Sequence, residues 1–198
     1  MPGNVYVLRK DARNGRIGKD YMMERGIDEF IRIMEPGLGK DTCRPLVEKL
    51  VSMGFFIAPA STRFHSAYPG GLFEHSRMVT LALLELTSSL SLQWIRKESP
   101  YLVGMLHDLC KCDQYEQSED GSFSHRPGQN LCGHGDKSVI LAQQLLPLTE
   151  EEILCIRWHM GAYCDKTEWG YLGTAIEQYP NVLYTHTADM IASRIRGI

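Results

Sequence analysis

The chain of 198 residues carries seven histidines: His65, His75, His107, His125, His134, His159 and His186. His107 is followed directly by Asp108, and Asp189 comes three residues after His186. Imidazole nitrogen and carboxylate oxygen are donors that suit iron, manganese, zinc, cobalt or nickel. Six cysteines offer a second donor set: Cys43, Cys110, Cys112, Cys132, Cys155 and Cys164. Cys110, Cys112, Cys132 and His134 could form a zinc site, but the C-x-C and C-x-H spacings depart from the usual knuckle. Reduced thiols are the preferred reading, with His134 used otherwise.

These donors matter only if folded elements bring them together. Helical periodicity starts near residue 20 and gives an amphipathic stretch over 21–34, ended by Pro36-Gly37. Asp41 can cap a second helix running to Met53, closed by Gly54. Residues 55–70 read as a loop, and a long helix follows over 72–92. Ser99-Pro100 looks like an N-cap and first helical position, starting a helix that reaches Cys110. Residues 113–133 are the one long polar interruption, of the kind that serves as a lid or binding loop. Further helices are expected over 135–146, from the Thr149–Glu152 capping box to Gly161, over 174–178 and over 182–196. With about seven helices and no convincing sheet, the fold class is all-α and the chain one structural domain. Residues 1–60 are expected to be a helical extension on the core, beginning with a short strand or hairpin at Val5 to Leu8 and Asn14-Gly15.

Composition narrows the function classes. Hydrophobic residues make up 43% and charged residues 23%, which is globular and excludes wholesale disorder. The net charge of −3 disfavours a surface that coats extended nucleic acid. No apolar run approaches the roughly 20 residues of a membrane span, and the N-terminal stretch has no apolar signal core. A cytoplasmic protein is expected.

The expected helices place the donors selectively. Leu72, His75, Val79, Ala82 and Leu86 step by three and four, so His75 lies on a core-facing stripe. His107 and Asp108 close an apolar helix, with Gly104 one turn earlier leaving room beside the carboxylate. His134 opens a helix, His159 ends one, and Asp189 lies inside the last. A single inward histidine is more often a hydrogen-bonded core residue, and Asp189 alone could pair with Arg194 or Arg196. Six such groups converging are stable when they share metal cations that offset their desolvation.

The order His75, His107-Asp108, His134, His159 and Asp189 resembles the HD-domain superfamily of all-helical, metal-dependent phosphohydrolases. The segments HSAYPGGLFEHS, HDLCK, GHGDKSV, IRWHMG and HTADMIASR each resemble a ligand segment of that superfamily, the first as found in the HD part of a 3′-to-5′ exoribonuclease family. The resemblance covers residues 60–195 and implies an HD domain over 61–198. It implies that His75, His107, Asp108 and Asp189 hold a first metal. His134 and His159 match the extra pair of two-metal members, in which Asp108 bridges. The metal would be manganese, iron, cobalt, nickel or zinc, with magnesium as a further candidate. Lys111 matches a lysine that approaches substrate phosphate, and His65 falls beside the substrate in the exoribonuclease-like relatives. Arg63 and Arg77 are further candidates for phosphate, with surface arginines as the plainer reading.

The implied activity is hydrolysis of a nucleotide or another small phosphoester by a binuclear site, with Asp108 and Lys111 catalytic. Two departures bear on the substrate. The residues ahead of the resemblance read as helical, so the oligonucleotide-binding barrel of the exoribonuclease relatives does not fit. The glycine-tyrosine-proline signature of cyclic-dinucleotide phosphodiesterases is absent, since Leu172 follows Gly170-Tyr171. Two alternatives use the same fold: a di-iron oxygenase acting on a small alcohol or phosphonate, and a non-catalytic nucleotide-binding module. The leucine-rich stretch 81–92 is compatible with a core or with the surface of a homo-oligomer.

Overall fold

The computed structural model describes residues 19–62, 66–118, 120, 122–131 and 133–198. The strand or hairpin expected near the N-terminus, and Arg63, His65 and Cys132, lie outside these residues. The order of elements is α1 (Lys19–Leu38), α2 (Lys40–Ser52), α3 (Gly71–Ser89), α4 (Ser99–Leu106), α5 (Lys111–Gln114), β1 (Tyr115–Gln117), β2 (Phe123–His125), α6 (His134–Leu145), α7 (Glu150–Arg157), α8 (Trp169–Gln178) and α9 (Asn181–Met190), the last continuing as a wider turn over Ile191–Ile195. Among the described residues the fold is all-α apart from one small antiparallel hairpin.

Apolar side chains of every long helix meet in a single cluster running from Phe30 and Met34 through Leu72, Leu106 and Ile156 to Ala188. Phe30, Phe55, Phe56 and Phe73 interlock at its α1 side, with centroids 5.3 to 6.2 Å apart. Phe55, Phe56, Ala58 and Ala60 are all buried, so the loop expected over 55–70 is in part a wall of the core. α1 runs four residues past the expected end at Met34, through Pro36. Gly37 explains part of this, because a Cβ there would lie 2.5 Å from the Tyr101 ring of α4. Tertiary packing overrides the local stop signal.

Two other expectations are corrected. Ser99 is the first residue of α4 and not its cap; its hydroxyl donates to Glu152 Oε1 at 2.7 Å. Gly39 precedes α2 in the cap position, and Asp41 sits in the first turn. The Thr149 capping box forms as the sequence predicts, with Glu152 N–H on the Thr149 hydroxyl and Thr149 N–H on Glu152 Oε2. The same Glu152 carboxylate also accepts from the Arg96 guanidinium, while Glu151 accepts from Ile95 N–H and from Asn181 Nδ2 at 2.8 Å. These two buried acids tie the start of α7 to the approach to α4 and to α9.

The polar segment 113–133 contains the unexpected hairpin, in which Tyr115 pairs His125, Glu116 pairs Ser124 and Gln117 pairs Phe123. The buried Lys137 of α6 pins the segment by donating to Asp113 Oδ1 and Gln129 Oε1, each at 2.5 Å. None of the helices among the described residues is long and apolar enough to cross a membrane.

Glu152→Ala removes the acceptor of Arg96, Ser99 and Thr149 at once and should cost about 3–5 kcal/mol of stability, the usual cost of breaking a buried ion pair from one side. Urea denaturation measures it. A loss no larger than that of an exposed glutamate would show that the network does not hold α4 to α7.

Candidate metal centre

Four imidazoles and two carboxylates meet where α3, the turn after α4, the start of α6, the end of α7 and α9 converge. His75 lies on the inner stripe of α3 beside the buried Leu72 and Val79. α3 and α4 cross closely because Gly104 has no side chain: a Cβ there would stand 2.6 Å from the Thr80 Cα. That is the role of Gly104, in place of the room beside Asp108 expected from sequence. The crossing brings His107 Nε2 to 3.3 Å from His75 Nε2. Gly135 does the same for α6, since a Cβ would fall 2.0 Å from the Arg157 carbonyl oxygen.

Asp108 is the hub and is 2% exposed. Its Oδ2 faces Lys111 Nζ at 2.6 Å, His107 Nε2 at 3.4 Å and His75 Nε2 at 3.5 Å. Its Oδ1 faces His134 Nε2 at 2.6 Å and His159 Nε2 at 3.4 Å. Asp189 Oδ1 lies 3.2 Å from His75 Nε2. It does not pair with Arg194 or Arg196; Arg196 bonds Glu85.

Main-chain oxygens aim the rings. His107 Nδ1–H donates to the Gly104 carbonyl at 2.8 Å, His159 Nδ1–H to that of Ile156 at 2.7 Å, and His75 Nδ1–H to a main-chain oxygen of Ile198 at 2.9 Å. An oxygen of this kind only accepts, so each ring carries a proton on Nδ1 and turns Nε2 inward. The Nε2 atoms of His75 and His107, 3.3 Å apart, repel when both rings are neutral with the proton on Nδ1, unless a cation lies between them. Asp108 Oδ1 and His159 Nε2 are also buried without a hydrogen bond. Each such orphan costs about 1–3 kcal/mol. Cations shared by this donor set would satisfy both atoms and relieve the repulsion, so the residues present fit divalent metal. Among the described residues, three overlapping groups could hold an ion: His75, His107 and Asp189; His107, Asp108 and His159; and Asp108, Cys110 and His134.

The electrostatics follow from the same arrangement. Burial pushes the Asp108 carboxyl up, but Lys111, His107 and His134 outweigh it and hold it well below the usual carboxylate range. Asp189 is likewise lowered, because His75, His107 and His159 outweigh its burial. Burial lowers His107 and His134 despite the neighbouring Asp108 charge. His159 is raised, because Asp108 more than offsets its burial, and Lys111 is raised for the same reason. Burial pushes the Cys110 thiol up to about 12.

Of the other expected site residues, Arg77 is engaged with Glu29 at 3.3 Å and Glu74 at 3.7 Å. Cys112 joins none of the candidate groups among the described residues. The supporting roles of two residues are absent from the sequence reading. His186 Nδ1–H donates to the His159 carbonyl at 2.7 Å, and its ring fills the space a Cβ on Gly161 would need. Cys110 Sγ lies 3.1 Å from His134 Nδ1. His186 precedes Asp189 by nearly one helical turn, which was the available signal. A cleft of about 520 Å³ opens beside His134, walled by Asp136, Trp158 and Tyr163 among others.

No profile of a known protein family and no solved structure matches the chain. Among curated proteins, it is similar to a dihydroneopterin 2′,3′-cyclic phosphate phosphodiesterase of Methanocaldococcus jannaschii, with 36% identity over 77 residues. That stretch covers 37% of this chain, and the chain spans 31% of the length of that relative.

Protons compete with metal at these imidazoles, and His159, raised above its ordinary 6.5, takes one first as pH falls. Cobalt affinity should therefore weaken steadily from about pH 8 to about pH 6. An affinity independent of pH across that range would exclude these histidines as ligands.

Proposed function

We propose that this protein is a metal-dependent phosphohydrolase of the HD type, with a binuclear centre and a small phosphodiester as substrate. In this reading His75, His107, Asp108 and Asp189 hold one divalent transition metal ion, and Asp108, His134 and His159 hold a second. The observation that carries it is the division of Asp108, one oxygen facing each set of nitrogens. Bound together, such cations lower the pKa of a water they share and offset charge on phosphoryl oxygens.

The chain's own groups do the rest. Asp108 supplies negative charge to both halves of the centre from a single buried position. Lys111 keeps its ammonium against Asp108 Oδ2 with a side chain 11% exposed, so it can turn from the carboxylate to a non-bridging phosphoryl oxygen. His134 and Asp189, with side chains 27% and 14% exposed, form the approach, while His75, His107 and His159 are sealed. The tight walls keep bulk water from the reacting oxygens, which strengthens each charge interaction inside. The named substrate of the curated relative, a 2′,3′-cyclic phosphate, supports a small cyclic diester as the first substrate class to test.

Protein loaded with manganese, iron, cobalt, nickel or magnesium should hydrolyse chromogenic phosphoesters and nucleoside 2′,3′-cyclic phosphates. Asp108→Ala should abolish turnover and release metal. Lys111→Ala should retain metal and lose about 10²-fold in rate. No hydrolysis of any ester by protein with confirmed metal occupancy would sink the reading, and oxygen uptake would then be the assay to run.

A further inference from the structure

The four imidazoles are not held alike. Those of His75, His107 and His159 each give Nδ1–H to a main-chain oxygen, which fixes the tautomer. His134 cannot do this locally. It opens α6, and the start of a helix offers free N–H groups rather than carbonyls. Its Nδ1 faces the thiol of Cys110 instead, at 3.1 Å. A thiol is both a weak donor and a weak acceptor, so it orients the ring without fixing which nitrogen carries the proton. Cys110 is itself well held: it is 1% exposed, and its backbone N–H donates to Ser138 Oγ of the same helix at 3.2 Å.

We propose that Cys110 is the positioning residue for His134 and sets how tightly the Asp108 Oδ1 side of the centre holds a divalent cation. The inference rests on the binuclear reading above. Its consequence is an asymmetric centre. The Oδ2 side is aimed by main-chain oxygens and binds first. On the Oδ1 side only His159 is aimed by a carbonyl, while His134 has a soft side-chain contact and stands nearer solvent, so this side exchanges its ion more readily. Outer partners of ligating histidines commonly change metal affinity by about 10–100-fold.

The test is titration with divalent cobalt, read by equilibrium dialysis and by absorption. Wild type should bind two ions of unequal affinity, with no sulfur-to-cobalt charge-transfer absorption. Cys110→Ala should weaken the looser ion by about tenfold and leave the tighter one unchanged. Cys110→Ser, whose hydroxyl can accept from Nδ1–H, should restore most of that loss. Should the alanine variant not fold, Cys110→Val, similar in size and without a polar group, takes its place. Wild type that binds fewer than two ions overturns the binuclear reading and this inference with it. Two ions in wild type with unchanged affinities in both apolar variants overturns the inference alone. A charge-transfer band lost in Cys110→Ser also overturns it, by making the thiol a ligand.

Discussion

One carboxylate, Asp108, is taken almost wholly out of water, and the architecture around it answers that cost. An isolated buried carboxylate is destabilising by several kcal/mol unless opposite charge and hydrogen-bond donors surround it. Here an ammonium and four imidazoles do so, drawn from four separate parts of the chain. Lys111 comes from the next turn, where it could be expected locally. The imidazoles of His75, His134 and His159 come from α3, α6 and the end of α7, so the long helices must pack within tight tolerances. Gly104 and Gly135 supply those tolerances: at each, any side chain would strike the neighbouring backbone.

Helix ends do the aiming. A helix leaves its last carbonyls without intrahelical partners. His107 follows α4 and His159 lies just beyond α7, and each donates its Nδ1–H to a carbonyl three residues earlier. One local feature thus satisfies a dangling backbone acceptor, fixes a tautomer and turns Nε2 to the centre. His186 extends this by holding the carbonyl of His159 from α9.

Much of this arrangement was legible in the sequence. The three-and-four spacing from Leu72 to Leu86 turned His75 inward, and the Thr149 capping box placed the start of α7, which decides where His159 falls. What escaped reading was set by distant contacts. Gly104 was explained by the carboxylate next to it in sequence, whereas its reason is Thr80 on another helix. The zinc grouping of Cys110, Cys112, Cys132 and His134 contains one pair that the fold brings together, the Cys110 thiol and the His134 imidazole, while Cys112 joins no candidate group among the described residues. The hairpin of β1 and β2 lies in a segment whose sequence holds an Asp-Gly pair at 120–121, a turn signal that the length and polarity of the segment outweighed.

Two buried acids in this fold show how a structural carboxylate differs from one kept for chemistry. Glu152 has both oxygens matched: Oε1 by Arg96 and Ser99, Oε2 by Arg96 and Thr149 N–H. Nothing more is needed there, and the group holds three elements together. Asp108 is as deeply buried, yet its Oδ1 has no hydrogen bond despite two imidazole nitrogens within 3.4 Å, and one of those nitrogens is itself unsatisfied. A fold selected only for stability would not keep donors and acceptors so near and so poorly aligned, because small rotations would pair them. The carbonyl bond behind the His159 ring opposes that rotation on one side of Oδ1. The stability supplied by the Glu152 network and the apolar core allows the centre to stay unsatisfied by protein alone, and what it lacks is positive charge placed between nitrogen and carboxylate.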